Sequence, residues 1–216
     1  MKKAVLFDMD GTLTNTSVDI WENVNLTLKK FGYPEITLEE AIAFVGNGAV
    51  RLIQRSLKGQ NPDNLQEIVD FYNNSYNFCG SPKTFVYDGL IDLLKKLKSE
   101  GYKLAVISNK PQAGTDEVCK KFFAEIEFDY IFGQREGIKV KPDRACVDYT
   151  LNALGVTGDE AIFVGDSDVD TKTAINAGVD GICVLWGYRS KQTLIEVGAT
   201  EFVATADELY KKIKAL

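Results

Sequence analysis

The stretch Ala4-Val5-Leu6-Phe7-Asp8-Met9-Asp10-Gly11-Thr12 decides the fold. Four apolar residues without a polar break describe a short strand buried on both faces, as found in parallel sheets covered by helices on either side. The run then stops at a carboxylate. In open α/β sheets ligands bind beyond the carboxyl ends of the strands, which puts Asp8 and Asp10 where chemistry is done; Gly11 allows the sharp turn after them. Asp-x-Asp-Gly is also ordinary turn chemistry, so the functional reading depends on partners elsewhere in the chain.

Downstream of Thr12 the pattern becomes helical. Val18, Trp21, Val24, Leu28 and Phe31 form a stripe behind Thr16 or Ser17 as N-cap, and Thr37 with Glu40 forms a capping box for a helix over Ala41 to Val45. Gly46-Asn47-Gly48 breaks that helix, and amphipathic segments follow over Ala49 to Leu57 and Asp63 to Phe78, the last ending at Gly80-Ser81-Pro82. Residues 15–83 therefore read as an all-helical cap inserted after the first strand. Residues 1–14 and 84–216 read as a Rossmann-like core, because strands at Lys103 to Ile107, Tyr130 to Phe132, Ala161 to Val164 and Gly181 to Val184 are separated by helices. Strands alternating with helices imply right-handed crossovers and a three-layer parallel sheet.

The composition excludes several function classes. The chain has 216 residues and a net charge of −6, which offers no basic footprint for nucleic acid or anionic membrane. It has no apolar run of eighteen residues and no separate leader region ahead of the first strand, so a cytoplasmic protein is expected. Cys79, Cys119, Cys146 and Cys183 are scattered, which suits reduced structural thiols better than zinc or redox chemistry. There is no histidine, so Ser-His-Asp and Cys-His catalysis and the histidine zinc proteases are ruled out. An enzyme built from this chain must use carboxylates for proton transfer and for holding hard cations.

Three further strand ends carry such groups. Ser108-Asn109-Lys110 follows an apolar strand just before a helix, where a hydroxyl and an amide suit a phosphate oxygen as well as they suit an N-cap. Lys141-Pro142-Asp143 enters the next helix, with Pro142 expected at its first position and Lys141 able to place a cation over an anionic group. Gly165-Asp166-Ser167-Asp168-Val169-Asp170 sets three acids at alternate positions after a strand; they repel unless a cation or a helix N-terminus compensates, and Asp168 is expected to be the N-cap. A calcium loop does not fit, since the sixth position is Thr171 and the twelfth Ala177.

The ordered set Asp8-x-Asp10-Gly-Thr12, Ser108-Asn109, Lys141-Pro142 and Gly165-Asp166-Ser-x-x-Asp170 resembles the four-motif signature of the haloacid dehalogenase superfamily, including the helical cap after the first motif. The resemblance implies a phosphatase in which Asp8 is the nucleophile and Asp10 the acid and base. It implies Mg²⁺ held by Asp8, the Asp10 backbone carbonyl and Asp166. Thr12, Ser108, Asn109 and Lys141 would bind phosphate, and Asp170 would orient the site. The substrate would be a small phosphorylated metabolite, and the protein a monomer or homodimer.

Asp at both positions 8 and 10 resembles the phosphoryl-transfer members over the dehalogenases, and Thr12 the phosphatases over the sugar phosphomutases. Phe44 to Ala49 and Ser108-Asn109-Lys110-Pro111 look like the phosphoglycolate phosphatase subfamily, with Asn15 and Val18 departing from its usual Asp and Pro. In that reading Gly46, Asn47 and Gly48 open a helix N-terminus toward the substrate, and Arg51 one turn later meets a substrate carboxylate. Phosphatases of a sugar phosphate, a nucleotide or pyrophosphate, a phosphomutase, and a non-catalytic protein on the same fold are the alternatives.

Overall fold

Val5 and Phe7 of the first strand face one side of the central sheet, and Ala4 and Leu6 face the other; all four are fully buried. This two-sided burial is what an unbroken apolar strand requires, and truncating Leu6 to Ala would cost about 2–5 kcal/mol. The protein is described from a computed structural model, covering residues 1–75 and 82–216. The expected helix over Tyr76 to Phe78 and its break at Gly80-Ser81 lie outside the described residues.

The sheet has six parallel strands: β1 Ala4–Phe7, β4 Lys103–Pro111, β5 Tyr130–Gln134, β6 Ala161–Gly165, β7 Asp180–Val184 and β8 Phe202–Val203, in the order β5-β4-β1-β6-β7-β8. β1 is central, with Phe7 level with Val106 of β4 and Val164 of β6. The order reverses at β1, so the crevice for a ligand opens beyond Phe7. Helices α5 Leu90–Ser99, α6 Gln112–Phe122 and α10 Ala206–Ala215 pack with Val5 and Phe7 on one face. Helices α7 Ala145–Leu154 and α8 Asp168–Ala177 pack with Ala4 and Leu6 on the other.

Between β1 and α5 lie α1 Ser17–Lys30, α2 Leu38–Phe44, α3 Gly48–Ser56 and α4 Leu65–Ser75, which share a hydrophobic cluster of their own centred on Val24, Leu28, Ile53 and Ile68. The Thr37–Glu40 capping box forms as expected. Unforeseen is a two-stranded antiparallel ribbon, β2 Thr14–Asn15 with β3 Phe85–Val86, through which the chain leaves and re-enters the core. Two residues per strand are too few to show an alternating pattern.

Several boundaries differ from expectation. α7 starts at Ala145, so Pro142 lies upstream of the helix; the Asp143 carboxylate accepts from the Ala145 amide (2.9 Å), and the Lys141-Pro142 bond is cis. β4 runs on to Pro111 past a register shift after Ile107. α8 begins at Asp168 with Ser167 as its N-cap, replacing the expected Asp168, because Ser167 and Asp170 form a reciprocal capping box. The short helix α9 Lys191–Glu196 carries too few periodic positions to be read from sequence.

Candidate active site

Asp8 is the first residue past β1, and its amide donates to Val164 O of the neighbouring strand (2.9 Å). That bond continues the sheet ladder by one residue and aims the carboxylate off the strand end. Lys141 arrives from the loop after β5, fully buried, and its Nζ donates to Asp8 Oδ1 at 2.6 Å and to Asp170 Oδ1 at 2.7 Å. Asp166 follows β6 directly and is also buried. Asp8, Asp166 and Asp170 each place a carboxylate oxygen within 4.8 Å of the others.

Gly11 makes this closeness possible. It has φ +95°, and a Cβ there would overlap the Asp166 carboxylate.

Three carboxylates face a single ammonium, which leaves two surplus negative charges when all are ionised. Burial, then the Asp170 charge, pushes the Asp8 carboxyl well above its ordinary range despite Lys141. Burial and then Asp170 raise Asp166 to about 7. Burial disfavours the Lys141 ammonium, but Asp170 and Asp8 outweigh it and hold the group protonated. A buried cluster of this kind is relieved by a divalent cation with hard oxygen ligands, so the donor set fits a metal site.

The Asp10 carboxylate stands apart from that cluster. Its Oδ1 accepts from Thr16 Oγ1 (2.7 Å), and its Oδ2 pairs with Lys110 Nζ (3.0 Å). Asp8 and Asp10 nevertheless line one 440 Å³ cavity between the sheet end and the helical insertion, together with Ser108, Lys141 and Asp166.

Two expected phosphate ligands turn out to hold other residues. The Thr12 hydroxyl donates to Asp166 Oδ1 (3.1 Å). The Asn109 amide donates to Lys141 O and to Gly46 O, both at 2.9 Å, and accepts from Lys141 N at 2.8 Å. Thr12 thus orients Asp166, and Asn109 fixes the backbone that carries Lys141. Asp170, as expected, sits beside Lys141; its second oxygen is held by Ser167.

In the helical insertion, Gly46 and Gly48 reach the cavity, while Asn47 is the N-cap of α3 and bonds no backbone amide with its side chain. Arg51 does not reach the cavity: it is exposed and donates to Gln54 Oε1 (3.1 Å), because one turn into α3 its direction is away from the core. The cavity wall on this side is Ile20, Val45, Ala49 and Leu52 with Tyr72, Asn73 and Asn74.

Sequence reasoning missed Lys110 as the partner of Asp10, and Tyr188, whose amide donates to Asp166 Oδ2 (2.7 Å) and whose hydroxyl accepts from Thr16 N (2.9 Å). Tyr188 follows β7 at its carboxyl end. The strand-end rule that singled out Asp8 and Asp166 would have found it.

These features define an α/β protein whose carboxylate-lined crevice lies at the switch point of a parallel sheet beneath a helical insertion. Residues 5–184 match the model of the haloacid dehalogenase-like hydrolases, and the chain belongs to that family. It is 36% identical over 189 residues to a phosphoglycolate phosphatase of Cereibacter sphaeroides, covering 86% of each chain. It is 30% identical over 217 residues to one of Nitrosospira multiformis, covering 98% of this chain and 96% of that one. The crystal structure of a predicted phosphatase from Clostridium acetobutylicum superimposes with a TM-score of 0.90 at 29% identity, over the whole of both chains. Among the described residues no helix is long and apolar enough to cross a membrane.

Proposed function

We propose that this protein is a Mg²⁺-dependent phosphomonoesterase that works through a phosphorylated Asp8. The observation that carries the reading is the convergence of Asp8, Lys141, Asp166 and Asp170, from three separate strand-end segments, on one buried cluster beside the cavity. An Asp8 oxygen attacks phosphorus, and the phosphorus–ester oxygen bond breaks. The departing oxygen takes a proton from Asp10; Asp10 then removes a proton from water, which attacks phosphorus and releases phosphate and the free Asp8 carboxylate. Lys141 balances the negative charge on the phosphorylated Asp8, and Ser108 offers a hydroxyl at the same strand end. Asp8, the Asp10 carbonyl and Asp166 would hold Mg²⁺, whose charge offsets the repulsion between a carboxylate and a phosphoryl group.

The helical insertion, residues 15–83, acts as a cap over this reaction, excluding water while Asp8 attacks. Phosphoglycolate is the first substrate to test, on the names of the relatives and because the N-terminus of α3, at Gly48 and Ala49, faces the cavity. The apolar wall of Ile20, Val45, Ala49 and Leu52, with Arg51 turned outward, favours a second reading, an ester whose non-phosphate part is uncharged. A panel of phosphoglycolate, sugar phosphates, nucleotides and pyrophosphate, assayed for phosphate release with Mg²⁺, decides between the two. No release from any of them rejects the proposed function.

A further inference from the structure

Helix α2 ends without a cap of its own. Its last turn has no basic residue, and Val45 after it is extended and returns one amide to Ala41 O. The last carbonyls of a helix need partners from elsewhere. Within the insertion, Arg55 Nη1 donates to Phe44 O (2.9 Å). The carbonyls on either side are met from the core. Arg189 Nη1 donates to Ile42 O at 2.9 Å, and Nη2 donates to Ala43 O at 3.3 Å and to Val45 O at 2.7 Å. Asp168 Oδ1 accepts from Arg189 Nε at 3.4 Å and steadies the guanidinium from behind.

Both core groups that grip this corner belong to segments that hold the catalytic cluster, Arg189 in the loop after β7 and Asn109 near the end of β4. Arg189 follows Tyr188, whose amide holds Asp166; Asn109, which holds Lys141, donates to Gly46 O on the opposite flank. The corner between α2 and α3 is thus held from two sides over the cavity that Gly46 and Gly48 line.

We propose that Arg189 is a positioning residue for the reaction inferred above, on which this assignment rests: a C-cap supplied from the core that keeps the corner over Asp8 and Asp10. The planar guanidinium suits the task because its fixed fork reaches several carbonyls at once, and the negative end of the helix dipole favours a cation there. A lysine offers one point charge in its place. When the insertion lifts away, two carbonyls of α2 and that of Val45 lose this donor and turn to water. Closure is therefore favoured by the same segments that orient Asp166 and Lys141.

The test uses the full chain with Arg189→Ala and Arg189→Lys. Hydrogen exchange followed by mass spectrometry, without substrate, is expected to show amides of residues 41–50 exchanging about ten-fold faster in Arg189→Ala, with α5 and α7 unchanged. KM for p-nitrophenyl phosphate is expected to rise about ten-fold, with kcat changing less than about three-fold, because the latch acts on closure over substrate. Arg189→Lys should fall between, and millimolar guanidinium should lower the KM of Arg189→Ala but not that of the parent. Unchanged exchange at 41–50, acceleration spread evenly over insertion and core, or an unchanged KM overturns the assignment. If the parent protein releases no phosphate the catalytic reading fails, while the exchange comparison still decides whether Arg189 holds the corner.

Discussion

The ammonium of Lys141 lies 2.6 Å from Asp8 Oδ1, bringing together residues 133 positions apart in a buried contact that Asp170 shares. Removing one partner from a buried ion pair leaves the other charge uncompensated. Lys141→Ala is expected to lower stability by about 3–5 kcal/mol, read by urea unfolding, and to abolish phosphate release. Lys141→Met, which keeps the stem's bulk, should fold better and remain inactive. Activity within ten-fold of the parent in either variant would remove Lys141 from the site.

Asp8→Asn separates chemistry from packing. The amide keeps the carboxylate's shape but cannot attack phosphorus, so turnover should fall by at least about a thousand-fold. The same change removes a buried charge that the fold disfavours, because burial and Asp170 push that carboxyl upward. Without metal at neutral pH the variant is expected to melt about 2–4 °C higher than the parent, by differential scanning calorimetry. An active Asp8→Asn enzyme would disprove the nucleophile assignment.

Mg²⁺ binding should be coupled to protons. In the metal-free protein the Asp166 carboxyl is pushed up to about 7 by burial and by Asp170, so below that pH it is largely protonated and a metal must displace the proton. Affinity therefore falls as pH drops through about 7, and Asp8, whose carboxyl is also raised by burial and Asp170, adds to the same trend. Titration calorimetry in two buffers of different ionisation enthalpy should register more proton release at about pH 6 than at about pH 8.5, the difference coming from Asp166. Equal affinity at the two would show that Asp166 is not a ligand.

Thr12→Val tests whether the hydroxyl serves Asp166 or the substrate. Because Thr12 Oγ1 donates to Asp166 Oδ1, its loss should weaken Mg²⁺ binding by about ten-fold, while KM for substrate at saturating Mg²⁺ stays within about two-fold. A raised KM at saturating metal, with metal affinity unchanged, would return Thr12 to the phosphate.

The sheet was legible because β1 is short and apolar without a break, and because Asp8 and Asp166 each end such a run. Those signals are local. The β2–β3 ribbon was not legible, since a pair of residues carries no period and the pairing is set by Tyr87 N donating to Leu13 O and by the path of the helices between. Thr12 and Asn109 were recognised as site residues, but their bonds to Asp166, Gly46 and Lys141 were not foreseen: residue type says that a hydroxyl or an amide will find a bond, whereas tertiary packing chooses which one. Arg51 failed for a directional reason. Its place one turn into α3 was correct, but the face it occupies depends on how α3 docks, and that is not written in the helix itself.

The ribbon has a consequence for how such a protein can diversify. Thr14 and Val86 are paired neighbours, so the sheet meets the roughly seventy residues between them as a single outward excursion whose ends are already tied together. An excursion anchored in this way can be lengthened, shortened or exchanged for another without disturbing the register of β1. Selection can therefore revise what the enzyme admits while leaving untouched the aspartates at the strand ends.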